Sequence, residues 1–233
     1  MTQASPATRR RVFVWIAHLV AALPFAASAR AGLYPTPAVS PGPFYPPDPR
    51  GLPFFPARPL RPLPEGHDLT IGADGRRAEG EHVRIGGIVY DRDGRPVAGA
   101  RVEIWQVDAR GSYVVETGDD RDPGFAGYGT CVSGPDGSYG FVTIRPHGYG
   151  RYGGLIRRAA HIHLRVVAPG GAPLATEIWF ADDPDNARDS FVSRVADPEL
   201  RARMLVAFVA DTDGVPTARF DVVLPELSAP RAS

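Results

Sequence analysis

A chain of 233 residues whose 26 basic residues, all arginine, balance 26 acidic ones has room for one domain with a substantial core. It carries no basic face of the kind that holds nucleic acid. The single cysteine, Cys131, excludes an intrachain disulfide and a cysteine-based zinc site, and the absence of lysine excludes a Schiff base.

Residues 1–31 read as an export signal. Arg9, Arg10 and Arg11 precede an apolar run from Val12 to Ala29, and Ala27-Ser28-Ala29 and Ala29-Arg30-Ala31 both fit the small-x-small cleavage rule. The pair Arg10-Arg11, followed by Val12-Phe13, looks like the twin-arginine signal, which exports proteins already folded; a plain secretory signal is also basic there. Arg9, Arg10, Arg11 and Arg30 leave with the signal and no acid does, so the neutral precursor becomes a net-negative mature chain. Export to the periplasm or the medium is expected, with no membrane contact after cleavage, since no other apolar stretch approaches the ~20 residues of a spanning helix.

Residues 32–80 form a Pro-rich extended segment, with Ser40-Pro41-Gly42-Pro43-Phe44-Tyr45-Pro46-Pro47 as its densest part. Proline breaks helices and cannot sit in a central strand, so extended chain lying over the domain is expected. The domain proper covers 81–226, with 227–233 as a tail. Val83 to Tyr90, the turn Asp91-Arg92-Asp93-Gly94-Arg95-Pro96 and Ala100 to Gln106 read as a hairpin. Asp136-Gly137 turns into a strand from Ser138 to Ile144, and strands follow at His161 to Val167 and Ala175 to Phe180, turning at Gly170-Gly171. Asp197-Pro198-Glu199 opens a short helical turn, and Leu205 to Asp211 with Thr217 to Leu224 reads as a closing hairpin. Seven or so short strands without a long amphipathic helix predict an all-β fold, an antiparallel β-sandwich with long loops and little helix.

His161-Ile162-His163 enters an apolar, β-branched run. Residues i and i+2 of a strand point the same way, roughly 6.6 Å apart, so both imidazoles can meet one ion. The pair alone equally suits the solvated face of an edge strand, and the 87–102 hairpin by itself suits a non-catalytic binding module.

The order of further motifs decides. Val102-Glu103-Ile104-Trp105-Gln106-Val107-Asp108-Ala109-Arg110-Gly111-Ser112-Tyr113 is followed by Asp122-Pro123-Gly124-Phe125, by Thr143-Ile144-Arg145-Pro146-His147-Gly148-Tyr149 and by Arg158-Ala159-Ala160-His161-Ile162-His163. This series closely resembles the intradiol ring-cleavage dioxygenases, and Gly42-Pro43-Phe44-Tyr45-Pro46 resembles the N-terminal segment of their protocatechuate 3,4-dioxygenase branch. The resemblance implies one Fe(III) per chain, held by Tyr113 and Tyr149 as tyrosinates and by His161 and His163. Ferric iron is hard and favours anionic oxygen, so it can hold a phenol ionised although free tyrosine has a pKa of about 10.

By the same resemblance Tyr149 is the tyrosine that leaves when a catechol binds and takes its proton. Tyr149 is preferred to Tyr152 because Pro146-His147-Gly148-Tyr149 fits the family's turn. The implied partners are a small catecholic substrate and O2, and the implied product is a cis,cis-muconate. Arg158 matches the arginine that stabilises negative charge on the substrate ring. Glu177 departs from the pattern, standing where the protocatechuate branch carries a glutamine near the substrate; a carboxylate adds charge and removes amide donors. The other implied outcome is an exported β-sandwich binding module that keeps the fold without turnover. Oligomeric state stays open, a homo-oligomer included. Tyr128 and Tyr139 are expected to be packing residues.

Overall fold

The computed structural model describes residues 33–52, 55–151 and 156–225. The export signal, Tyr152 and the 227–233 tail lie outside the described residues. In chain order the strands are β1 (His82–Tyr90), β2 (Arg101–Trp105), β3 (Tyr128–Val132), β4 (Ser138–Ile144), β5 (Tyr149–Arg151), β6 (Ile156–Arg158), β7 (His161–Val167), β8 (Leu174–Phe180), β9 (Leu205–Val206), β10 (Val209–Ala210), β11 (Pro216–Arg219) and β12 (Val222–Val223). Two short helices, α1 (Ser190–Arg194) and α2 (Pro198–Arg203), follow a 3-10 turn at Pro184–Ala187.

Two five-stranded sheets make the body. One has the order β10-β11-β1-β12 with β4 on the free side of β1; the other has the order β3-β2-β7-β8-β9. Between them lies one apolar core, to which Ile85, Val89, Phe141 and Val222 come from the first sheet, Phe220 from the link between β11 and β12, and Val102, Ile104, Ile162, Leu164, Val166 and Ile178 from the second sheet. Each such fully buried side chain contributes about 1.5–3 kcal/mol of hydrophobic stabilisation. The all-β sandwich is therefore present, but its sheets are mixed: β1 pairs in parallel with β11 and β12, and β8 with β9. Period-2 alternation reports which face is buried and carries no information on strand direction.

The expected hairpin between 83–90 and 100–106 is not formed. Its turn is there, with Asp91 Oδ1 accepting from the N–H groups of Asp93 and Arg95 and Gly94 at φ 77°. The ladder ends after Tyr90↔Pro96 and the Val97 N–H to Val89 bond of 2.8 Å. Pro96 has no N–H to continue it. The chain instead bonds Ser133 through Gly99 and Ala100 and enters the second sheet, while β1 pairs with β4 from His82↔Ile144 to Ile88↔Ser138. The closing hairpin is likewise shorter than expected: β10 pairs with β11 around Asp211, but β9 joins β8 and β12 joins β1. Asp197 caps α2 as predicted, accepting from the Glu199 and Leu200 N–H groups.

Gly87 shows why β1 tolerates no side chain at its centre. A Cβ there would lie 2.0 Å from the Phe220 carbonyl oxygen, where the chain between β11 and β12 presses against β1. Residues 66–71 pair with both sheets, Gly66 with Thr130 of β3 and Asp68 with Val142 of β4, and so close one open side of the sandwich. Cys131 on β3 is half-buried, and burial pushes its thiol up to about 11.

Candidate metal centre

The outer face of the second sheet, the one turned from the core, carries the chemistry. Antiparallel register aligns Tyr128, Trp105, His163 and Glu177 in one row across β3, β2, β7 and β8, and His161 with Trp179 in the next. Both histidines share this face because they are two apart in one strand. All of these side chains are buried. A stretch of sheet face covered yet furnished with His163, His161 and Glu177 departs from the apolar pattern that such burial favours, and each buried polar group there requires a partner.

Tyr113 reaches this face from the loop after β2. Asp108, itself buried, accepts from the N–H groups of Arg110 and Ser112 with Oδ1 and of Asp122 with Oδ2, tying the loop into a compact turn. Gly111 supplies the φ of 82° that the turn requires. The Tyr113 N–H then donates to Glu116 at 2.7 Å. Tyr149 arrives from another direction, on the two-stranded ribbon of β5 and β6, directly opposite Arg158.

Four donor atoms converge. The Tyr113 oxygen lies 3.2 Å from that of Tyr149, 3.3 Å from His161 Nε2 and 3.0 Å from His163 Nε2. His161 donates Nδ1–H to the Ala159 carbonyl at 2.6 Å, which leaves its Nε2 a bare lone pair aimed at the phenols. His163 Nδ1 has no hydrogen-bond partner and faces Glu177 at 3.5 Å. Burial holds both imidazoles well below their ordinary pKa, with Arg158 adding to the shift for each, so both are neutral. Burial first, then the Tyr149 phenol, pushes Tyr113 well above 10.

The Tyr113 proton can go to one imidazole at a time, whereas one small cation can take an electron pair from each of the four donor atoms. Two phenol oxygens and two imidazole nitrogens, with no thiolate, suit a hard ferric ion. His161, His163 and Glu177 also place one donor each within 4.8 Å of one another, which offers a rival ligand set. Hydrogen bonding separates the two. Glu177 Oε2 is occupied by Arg158 Nη2 at 2.5 Å and by Trp179 Nε1 at 2.9 Å, and Glu177 meets His163 at Nδ1, not at the Nε2 that faces the phenols.

Arg158 is buried with its Nε donating to Asp189 at 3.0 Å and its guanidinium 4.1 Å above the Phe191 ring. Burial opposes its charge, but Glu177, Tyr149, Asp189 and Tyr113 together outweigh that and its pKa is raised. Burial raises the Glu177 carboxyl, with Arg158 opposing. Asp189 also caps α1 through the Phe191 N–H and accepts from the Ala159 N–H at 2.9 Å, while Asp183 accepts at 2.6 Å from the Ala160 N–H of the peptide whose carbonyl orients His161.

The structure thus brings Tyr113, Tyr149, Arg158, His161, His163 and Glu177 into one cluster. Tyr128 packs in the same apolar cluster on the far side of Trp105, and Tyr139 lies elsewhere, donating to the Phe220 carbonyl at 2.5 Å. Sequence reasoning missed Asp108, Asp189 and Trp105. Trp105 meets His163 only through the pairing of β2 with β7, and the Arg158 and Ala159 partners of Asp189 are some 30 residues away, so neither role had a local signal.

A family model described as Dioxygenase matches residues 53–226. The chain is 36% identical over 183 residues to the protocatechuate 3,4-dioxygenase beta chain of Burkholderia cepacia, a match covering 74% of this chain and 76% of that one. It is 33% identical over 186 residues to hydroxyquinol 1,2-dioxygenase of Nocardioides simplex, covering 70% of this chain and 59% of that one. Among solved structures, the dioxygenase domain of a dioxygenase carbohydrate-binding fusion from Streptomyces sp. SirexAA-E aligns with a TM-score of 0.56 at 28% identity, covering 82% of this chain and 98% of that one.

Proposed function

The chain belongs to the intradiol ring-cleaving dioxygenases, and on that premise we propose that it opens a catechol between its two hydroxyl-bearing carbons, taking up O2 to give a cis,cis-muconate-type diacid. The observation that carries this reading is the convergence of the Tyr149 oxygen and the Nε2 atoms of His161 and His163 within 3.3 Å of the Tyr113 oxygen. Tyr113, Tyr149, His161 and His163 would hold one Fe(III). When bound, the ferric ion supplies the Lewis acidity that holds a catechol ionised and makes its ring available to O2.

The residues then divide the work. Tyr149, half-buried on its ribbon, would accept a catechol proton on its phenol oxygen. Tyr113 and the two histidines, all buried, stay in place. Arg158 keeps a fixed positive charge beside the phenols, oriented by Glu177 and Asp189, where it opposes negative charge developing on the ring. Trp105 and Trp179, both fully buried on the same face, keep water from the ligands.

The purified mature protein should be red-brown with about one iron per chain, through tyrosinate-to-iron charge transfer. A catechol added without oxygen should shift the band, and O2 should then yield a ring-opened diacid. A colourless active preparation, or a ring opened beside the hydroxyls, would overturn the assignment. The Arg158–Glu177 pair supports a second reading, a binding module without turnover, because it ties up the guanidinium. That reading predicts colour and catechol binding without product.

We also propose export by residues 1–31, supported by the arginine pair and the apolar run. Replacing Arg10 and Arg11 by lysine should trap the precursor inside the cell; unimpaired export would point to the general secretory route instead.

A further inference from the structure

The Pro-rich segment does more than lie over the sheet. Phe44 stacks on Tyr113 with ring centroids 4.7 Å apart and planes 19° from parallel. Next to it Tyr45 packs against Trp105 at 4.9 Å, and Trp105 lies flat on His163, centroids 4.9 Å apart and planes 3° from parallel. Gly42 passes so near that a Cβ there would sit 3.6 Å from His163 Cε1. One short stretch therefore braces a phenol and an imidazole that face each other across 3.0 Å.

The brace is latched. The Tyr45 hydroxyl donates to Glu103 at 2.8 Å, and Glu103 is itself buried and held by Arg101 and Arg165. Arg165 also lies over the Tyr45 ring, 5.6 Å from its centroid. Burial first and Glu103 second raise the Tyr45 phenol far above its ordinary value, so it remains the donor of that bond. Trp105 Nε1 is buried without a partner. A phenylalanine would leave no such orphan, so the flat indole is kept for its stacking area and not for a hydrogen bond. His163, whose Nδ1 has no hydrogen bond, depends on that stack as His161 does not, since His161 has the Ala159 carbonyl. Phe44 and Tyr45 precede the residues matched by the family model, which begin at 53.

We infer that Phe44 and Tyr45 are positioning residues of the metal centre: latched through Glu103, they hold Tyr113 and His163 in register so that the metal stays bound on these two ligands while Tyr149 exchanges. This rests on the reading of Tyr113 and His163 as ligands. The test uses the full mature chain loaded with ferric iron and follows transfer of iron to a competing chelator, the energy of the visible band, and the melting temperature of the metal-free protein. Tyr45→Phe removes one oxygen and keeps the ring; Phe44→Leu removes the stack on Tyr113; Leu60→Ala, farther along the segment in the same apolar cluster, serves as the control.

Both positioning variants should release iron about 10-fold faster than wild type, as loss of an outer partner of a ligand does, and Phe44→Leu should also move the band. Leu60→Ala should lower the melting temperature without either change. Wild-type release from Tyr45→Phe and Phe44→Leu, or equal acceleration by Leu60→Ala, would overturn the inference alone. Absence of the tyrosinate band in the wild type would overturn the ligand reading and this inference with it. Should Phe44→Leu fail to fold, Tyr45→Phe, which differs by one atom, decides.

Discussion

Tyr113 and Tyr149 bring their oxygens within 3.2 Å of each other but stand on unlike supports. Tyr113 is 1% exposed, tied into a turn by Asp108 and Glu116 and roofed by Phe44. Tyr149 is half-buried on a ribbon of two three-residue strands, which among the described residues pair with each other and with neither large sheet. Two-stranded ribbons are marginal in isolation and borrow their stability from contacts at their ends. One side of the centre is thus built to stay and the other to yield, which is the asymmetry a site requires if a ligand must give way without loss of the metal.

The sharpest break of this contrast is expected from Tyr113→Phe, which should weaken iron retention by more than about 100-fold and weaken the visible band with it, beyond what loss of an outer partner does. Metal content after dialysis checks it. Tyr149→Phe should keep iron and bind catechol yet lose about 10²–10⁴-fold in turnover, the range of a removed acid–base group. If Tyr149→Phe instead lost iron while Tyr113→Phe kept it, the assignment of the two supports would be reversed.

Loading should depend on pH on the rigid side. The Tyr113 phenol is raised well above 10, so in the metal-free protein it carries its proton at neutral pH and must surrender it to the metal. Iron affinity should therefore fall as pH falls, by about tenfold per unit for each proton displaced, and base uptake on loading at constant pH measures the number displaced. Below one proton per iron, Tyr113 is not a phenolate ligand.

The anchor of the yielding side is Asp189, through Arg158 at the foot of the ribbon. Asp189→Ala leaves a buried guanidinium nitrogen and two backbone N–H groups unpaired, and should destabilise the fold by about 2–3 kcal/mol in chemical denaturation. Its turnover should drop more than its iron content; the opposite order would place Asp189 on the rigid side. The exposed pair Arg157–Asp185, at 3.0 Å, touches the same ribbon, yet Arg157→Ala should change stability by less than about 0.5 kcal/mol and turnover scarcely at all.

The strand carrying His161 and His163 was legible because alternation and β-branching act locally, and Asp197 announced its helix for the same reason. The hairpin after β1 was misread because Asp91 to Gly94 dictates a turn whatever the chain does next, and the choice between continuing the ladder and crossing to the other sheet is made by tertiary contacts at Ser133. Tyr113 and Tyr149 were placed through the order of motifs, not through any local rule, since nothing in either segment reveals that loop and ribbon meet. Asp189, Trp105 and Phe44 went unread because their roles exist only across β-strand register or between distant segments.

Cys131 has a bearing on endurance. Catechols oxidise readily to ortho-quinones, electrophiles that arylate thiolates and amines. This chain offers them no lysine, and its one thiol is half-buried and pushed up to about 11, so almost none of it is thiolate at neutral pH. Exposure of the folded protein to ortho-benzoquinone should leave Cys131 unmodified by mass spectrometry, while the same treatment in denaturant should label it. If catechols are the substrates, as proposed, the folded chain presents neither lysine nor thiolate to the quinones they form in air.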